Sequence, residues 1–249
     1  MNGTDFSDLR NVAARLEGLE ESIIVALIER AQFCLNPRVY IPGESGFEDA
    51  GELSLLDLRL RMQEEVEAVF GRFMVPEERP FSANLPETKR KVNQESSLLL
   101  LDDYDIVNLN DGIRRSYLDL LPLLCREGDD RHYGSSVEND VHALRAISHR
   151  VHFGAMYVAE CKYSADVGGY SRLLDAADRE ALLTKLTRIE VEEKILQRVH
   201  DKIAALQQQA NPLVRHLVDG KIIVDFYRNV IIPLTKEGEL LYLFNRRRG

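Results

Sequence analysis

The sequence predicts an all-α fold, and three observations carry that expectation. Apolar residues recur at steps of three and four along most of the chain, no segment alternates with period two over a useful length, and no repeat or low-complexity tract interrupts the pattern. Of the 249 residues 45% are apolar, which supports a packed core and excludes wholesale disorder. No Pro/Gly/Ser-rich linker divides the chain, so a single domain over 1–249 is expected, with a mid-chain loop at about 75–109 as the only candidate internal boundary.

The elements follow in order. Between Asp8 and Phe33, the residues Leu9, Val12, Leu16, Leu19, Ile23 and Leu27 form one helical stripe, with Asp5 or Ser7 as a cap. A second helix fits Ser54 to Phe73, with Leu58, Met62, Val66, Val69 and Phe73 on one side. Val75 to Leu109 carries Pro76, Pro80 and Pro86 with little periodicity and reads as loop crossing the surface. Asn110 caps a helix through Tyr117 to Leu124, which Pro122 should kink or end early. Gly134-Ser135-Ser136 offers the cap of a long helix reaching about Tyr163, and Gly168-Gly169 breaks the chain again. Asp175 or Asp178 opens the next helix, Glu190 to Gln209 forms a long one, and the last runs from Ile222 to about Arg246 with Pro233 inside it.

Composition narrows function by exclusion. With 32 Lys+Arg against 41 Asp+Glu, the net charge of -9 argues against nucleic acid as the main partner. No apolar run approaches the roughly 18 residues a membrane span needs, and Met1 to Phe6 lacks a basic-then-apolar leader, so a cytoplasmic address is expected. Cys34, Cys125 and Cys161 are too scattered for a disulfide framework or a zinc site. The chain lacks Gly-x-Ser-x-Gly, His-Glu-x-x-His, a phosphate-binding glycine loop and Cys-x-x-Cys, so neither cofactor nor metal is expected. What remains are charged residues set in apolar helices: Arg150 and Lys162, Glu192 beside a core stripe, and Thr235 with Glu239 four apart on one face. Taken singly, each is ordinarily a solvated or salt-bridged side chain.

The segments Glu21-Ser22-Ile23-Ile24 to Gln32-Phe33, Arg72-Phe73 to Pro80-Phe81, Gly128-Asp129-Asp130, Arg150-Val151-His152-Phe153-Gly154, Val158-Ala159-Glu160-Cys161-Lys162, Val191-Glu192-Glu193-Lys194-Ile195-Leu196 and Ile232-Pro233-Leu234-Thr235-Lys236-Glu237 through Tyr242-Leu243 occur in a characteristic order. Together they resemble the larger, all-helical chorismate mutases of fungi and plants, over roughly Asp5 to Arg248. The resemblance implies a single multi-helix domain, a homodimer, and the Claisen rearrangement of chorismate to prephenate in phenylalanine and tyrosine biosynthesis. That reaction is unimolecular and pericyclic, so it needs no nucleophile, metal or redox group. It needs cations that hold a flexible dianion in a compact conformer, and a donor aimed at the ether oxygen where charge develops.

By resemblance, Arg150 clamps a carboxylate, and Lys162 contacts both the substrate and the ether oxygen. Glu192 accepts from the substrate hydroxyl, and Thr235 lies on the carboxylate side. Glu239 faces the ether oxygen as a protonated carboxyl, its pKa raised by burial near other acidic charge. Two departures stand out. The family carries an Arg in the first helix at the position of Ala13; three residues inserted near Gly18-Leu19 would turn the helix by roughly 300° and make Arg10 the replacement. Arg150 and Lys162 are twelve apart, one more than in the family, which splays them by about 120° at about 100° per residue. A π-bulge between Phe153 and Val158, next to Gly154, would absorb the extra residue. Arg188 stands where many relatives carry a small polar or acidic residue.

The resemblance also implies a regulatory site near 71–73 and 128–140, where an Arg and a Gly-Ser at a helix start bind an aromatic amino acid at the dimer interface. Arg72, Gly134 and Ser135 match; the competing role for the serines is simply to cap the helix. The functional alternative is a catalytically weak homologue acting as an aromatic-ligand-binding or regulatory helical protein, which Ala13 and the extra residue before Lys162 would favour.

Overall fold

The computed structural model describes residues 5–91 and 97–247. Its helices are α1 (Leu9–Arg30), α2 (Leu55–Val69), α3 (Asn110–Leu124), α4 (Tyr133–Phe153), α5 (Ala159–Ala165), α6 (Val167–Asp175), α7 (Arg179–Leu186), α8 (Ile189–Gln207), α9 (Gly220–Phe226) and α10 (Ile232–Asn245). Among the described residues there is no strand, only an isolated bridge between Cys34 and Arg126. No described helix is long and apolar enough to cross a membrane.

Two π-helical turns shape the molecule. Gly154–Val158 splices α4 to α5, and Tyr227–Ile231 splices α9 to α10, with right-handed helical backbone on both sides of each. The first falls where the Arg150–Lys162 spacing predicts it. The second was not predicted. It lies directly before Pro233, the second residue of α10, so the proline's missing N–H falls where the helical ladder is already rearranged.

Several helix limits differ from the sequence reading. Asp8, not Asp5 or Ser7, caps α1, accepting from the Arg10 N–H at 2.8 Å. Asn110 is the first residue of α3 rather than its cap, and Pro122 sits in the last turn without shortening it. α4 begins at Tyr133, so Gly134, Ser135 and Ser136 lie inside the first turn and cap nothing; no side chain caps this helix. Asp166, not the glycine pair, makes the next break, and its carboxylate caps α6 through the Gly169 N–H. On α2, Ser54 caps the helix rather than beginning it, and the buried face is Leu56, Leu60, Glu64 and Ala68, while Met62, Val66 and Phe70 are exposed. The helix is apolar on two sides, and periodicity alone cannot say which one meets the core.

The main core joins Ile23, Ile24 and Leu27 of α1 to Val141, Leu144, Ile147 and Val151 of α4, with Tyr117 and Leu121 of α3 and Leu196, Val199 and Ile203 of α8 packed around them. The mid-chain segment is more than surface loop. Leu99, Leu101 and Val107 are buried with Ala155, Met156 and Ala159 and with Leu240, Tyr242 and Leu243 of α10. Its backbone is tied down as well: the Glu64 carboxylate accepts from the Phe81 and Ser82 N–H groups, both at 2.7 Å, and Tyr242 Oη accepts from the Leu100 N–H. His152 accepts from the Leu109 N–H at 2.9 Å, and burial lowers its pKa to about 3, so it holds the entry to α3 as a neutral ring.

Close approach of α10 to the first π turn depends on glycine. A Cβ at Gly238 would lie 2.5 Å from Ala155 Cβ, and one at Gly154 would lie 2.9 Å from Thr235 Cγ2. Gly238→Ala is therefore expected to destabilise: overpacking costs about 1–3 kcal/mol and outweighs the up to about 1 kcal/mol gained in helix propensity. Thermal unfolding checks this, and an unchanged or raised Tm would show that α10 can shift freely.

Candidate active site

A cavity of about 430 Å³ opens between α1, the α4–α5 rod, α8 and α10. Seven Lys or Arg and four Glu are among its lining residues, so the field inside opposes the net charge of the whole chain.

Arg150, only 2% exposed, lines the cavity's interior. Arg150 Nη1 donates to Thr235 Oγ1 at 3.0 Å, and that hydroxyl donates onward to the Ile231 carbonyl at 2.7 Å. Among the described residues no carboxylate pairs with this guanidinium, and its Nε is buried without a partner. An uncompensated buried charge is expensive, so the site is built to receive an anion.

Twelve residues on, Lys162 also lines the cavity, because the π turn absorbs the extra residue that would otherwise splay the two cations. Its Nζ donates at 2.8 Å to both Glu239 Oε2 and the Leu186 carbonyl. Glu239 is 4% exposed. Burial lifts its carboxyl above the ordinary carboxylate range, while Lys162 foremost, then Arg150 and Lys236, pull it the other way. The expectation of neighbouring acidic charge is corrected: the groups facing Glu239 are cations, and desolvation alone raises it.

Glu192 also lines the cavity, held by Lys236 Nζ at 3.0 and 3.3 Å. Arg10 lines it as well, but its side chain is 90% exposed and is paired with Asp8 at 2.7 Å. The α1 helix is unbroken through Gly18-Leu19, and Ala13 itself faces the cavity. The structure thus brings Arg150, Lys162, Glu192, Thr235 and Glu239 together and leaves Arg10 at the mouth. Sequence reasoning missed Lys236, Arg198 and Glu20. Arg198 grips the fully buried Glu20 with two hydrogen bonds of 2.8 Å. No spacing signal pointed to Arg198, which is six residues along α8 from Glu192 and so splayed from it by about 120° at about 100° per residue.

Arg72 lies elsewhere, in a groove beside α4, bonded to Glu78 at 2.6 Å and near Glu67. Glu78 also contacts His149, which stands 14 positions along α4 from Ser135, about 21 Å at 1.5 Å per residue. One chain therefore does not bring Arg72 to Gly134 and Ser135.

A helical cavity with a buried guanidinium that no described carboxylate pairs, a lysine and a buried carboxyl fits an enzyme of anionic small molecules. The comparisons agree. No family model matches the chain. Chorismate mutase from Emericella nidulans is 34% identical over 97% of this chain and 93% of its own length, and the cytosolic chorismate mutase 2 of Zea mays is 34% identical over 98% of both; a chloroplastic form from Zea mays is also similar. The Candida albicans Aro7p chorismate mutase in complex with L-Trp superposes with a TM-score of 0.91 at 30% identity, covering 99% of this chain and 95% of that one. AtCM1 with phenylalanine bound in its allosteric site gives 0.88 at 33%, covering 98% of both. The chain belongs to the chorismate mutase family.

Proposed function

We infer that the chain catalyses the rearrangement of chorismate to prephenate, the branch toward phenylalanine and tyrosine. The observation that carries this reading is the buried Arg150, unpaired with any carboxylate and set beside the Lys162–Glu239 pair. Arg150, oriented by Thr235, takes one substrate carboxylate and fixes the reactive conformer. Lys162 and a protonated Glu239 donate to the ether oxygen as the C–O bond breaks and negative charge collects there, an interaction that strengthens only in the transition state. Glu192, positioned by Lys236, accepts from the substrate hydroxyl. The rival reading, a catalytically weak ligand-binding relative, loses one of its two supports, because the π turn restores both cations to the cavity. The test is direct: mix the purified protein with chorismate and follow the loss of its ultraviolet absorbance. No loss above the uncatalysed rate would sink the reading.

The state of Glu239 gives the reaction a pH dependence. Only the protonated carboxyl donates, so activity is highest below its raised pKa and falls as pH rises through it. The arriving dianion adds negative charge and lifts that pKa further. An amide donates at every pH, so Glu239→Gln should lose the alkaline fall in kcat. A pH–rate profile identical to the parent's removes Glu239 from the ether oxygen.

A homodimer with an aromatic amino acid effector belongs to the same reading. The exposed Met62, Val66 and Phe70 along α2 offer a second copy an apolar stripe. Arg72 is separated from Gly134 and Ser135 within one chain, so a shared effector site would need two. Rates with and without tyrosine, phenylalanine and tryptophan test the effector, and sedimentation tests the dimer. A cytosolic location follows the cytosolic Zea mays relative, and fractionation decides between it and a plastid.

A further inference from the structure

The cavity holds more cations than the reaction has so far used, and most are already committed. Arg10 is bonded to Asp8, Lys162 to Glu239, Lys236 to Glu192, and Arg198 to Glu20. Arg150 is free of acids but fully inside, so it anchors the buried end of a ligand. A dicarboxylate has a second carboxylate, and nothing on the α1 wall meets it, because Ala13 lines the cavity with a methyl group and Arg10 turns to Asp8.

At the connection between α7 and α8, Arg188 lines both this cavity and the adjoining groove, which share Lys162 and Leu9. Its backbone is fixed: it sits between α7 and α8 at the cap position of α8, and its carbonyl accepts from the Val191 and Glu192 N–H groups at 2.9 and 3.1 Å. Among the described residues no hydrogen bond or ion pair holds its exposed side chain, so a long guanidinium stands at the mouth with nothing to give up on meeting an anion. Two residues before it, the Leu186 carbonyl holds Lys162, so the same short connection steadies the inner lysine and carries the outer arginine.

On the chorismate reading, we propose that Arg188 is the second carboxylate anchor, folding over the mouth to grip the outer carboxylate by its two-pronged fork. The guanidinium missing from α1 at Ala13 is thereby supplied from the connection between α7 and α8. Lys194 is the competing rim cation, and among the described residues no hydrogen bond or ion pair holds its side chain either, but it is an exposed, strongly hydrated point charge and lines the main cavity without reaching the adjoining groove.

Steady-state kinetics on chorismate at several salt concentrations, with the parent, Arg188→Ala, Arg188→Lys and Lys194→Ala, tests this. Circular dichroism checks that each variant is intact. Arg188→Ala should lower kcat/KM by about 30- to 100-fold, chiefly through KM, and flatten its salt dependence; Arg188→Lys should recover part of the loss, and Lys194→Ala should stay within about twofold. An Arg188→Ala loss below about threefold, a loss with unchanged salt dependence, or a larger loss in Lys194→Ala overturns the assignment. A parent that does not consume chorismate overturns the reading beneath it, which the parent measurement reports separately.

Discussion

Lys162→Ala is expected to lower kcat/KM for chorismate by about 10³-fold, about 4 kcal/mol of transition-state stabilisation. The magnitude follows from the two roles proposed for one nitrogen: balancing the substrate's charge and donating to the ether oxygen. The folded state should barely notice. Removing one partner of a buried ion pair ordinarily strands the other charge, but Glu239 is already shifted toward its neutral form by burial and can keep its proton. With the largest downward influence on Glu239 gone, the alkaline fall of the residual activity should also move to higher pH. Kinetics as a function of pH measure both effects. A Lys162→Ala variant with parental kcat/KM would remove Lys162 from the chemistry even if turnover by the parent were secure.

Asp140→Ala is expected to have the largest effect on stability and little on the chemistry. Asp140 and Arg30 are wholly buried and meet at 2.6 Å, and the Asp140 carboxylate also accepts from Tyr117 Oη at 2.7 Å and Tyr40 Oη at 2.9 Å. The substitution leaves Arg30 charged and uncompensated inside the α1–α4 packing, a loss of about 3–5 kcal/mol, or about 6–20 °C in Tm for a domain of this size. Asp140→Asn keeps hydrogen-bonding atoms but not the charge and should fall between. Arg30→Met with Asp140→Leu removes both charges and should recover much of the loss. Thermal unfolding of the set separates these outcomes; an unchanged Tm in Asp140→Ala would mean the pair contributes nothing net.

Local patterning in the chain was enough to predict most helices and, through one spacing, the first π turn, because an extra residue between two cations that must share a face leaves few solutions. The six candidate catalytic residues came from the family resemblance; five of them lie together inside one cavity, and Arg10 lines its mouth. The failures share a cause. The buried side of α2 was misread because Met62 and Val66 satisfy helical period as well as Leu56 and Leu60 do, and only the neighbouring helices decide which side is covered. Arg10 was favoured over Ala13 because a missing charge is visible in a sequence, whereas its engagement with Asp8 is a matter of side-chain geometry.

By itself the sequence determined the all-α class, the order of the helices and the residue types at the site, since these follow from periodicity, capping and motif. Only the tertiary structure decided how the charges are partnered. Lys162 with Glu239, Lys236 with Glu192 and Arg198 with Glu20 are 77, 44 and 178 positions apart in the chain, beyond the reach of any local rule. Among the described residues, those pairings leave Arg150 without a carboxylate in the interior and Arg188 without an ion pair at the rim. Burial also raises the pKa of Glu239 against the pull of its cations, because desolvation depends on the packing of every wall around a group and not on its own neighbours in sequence.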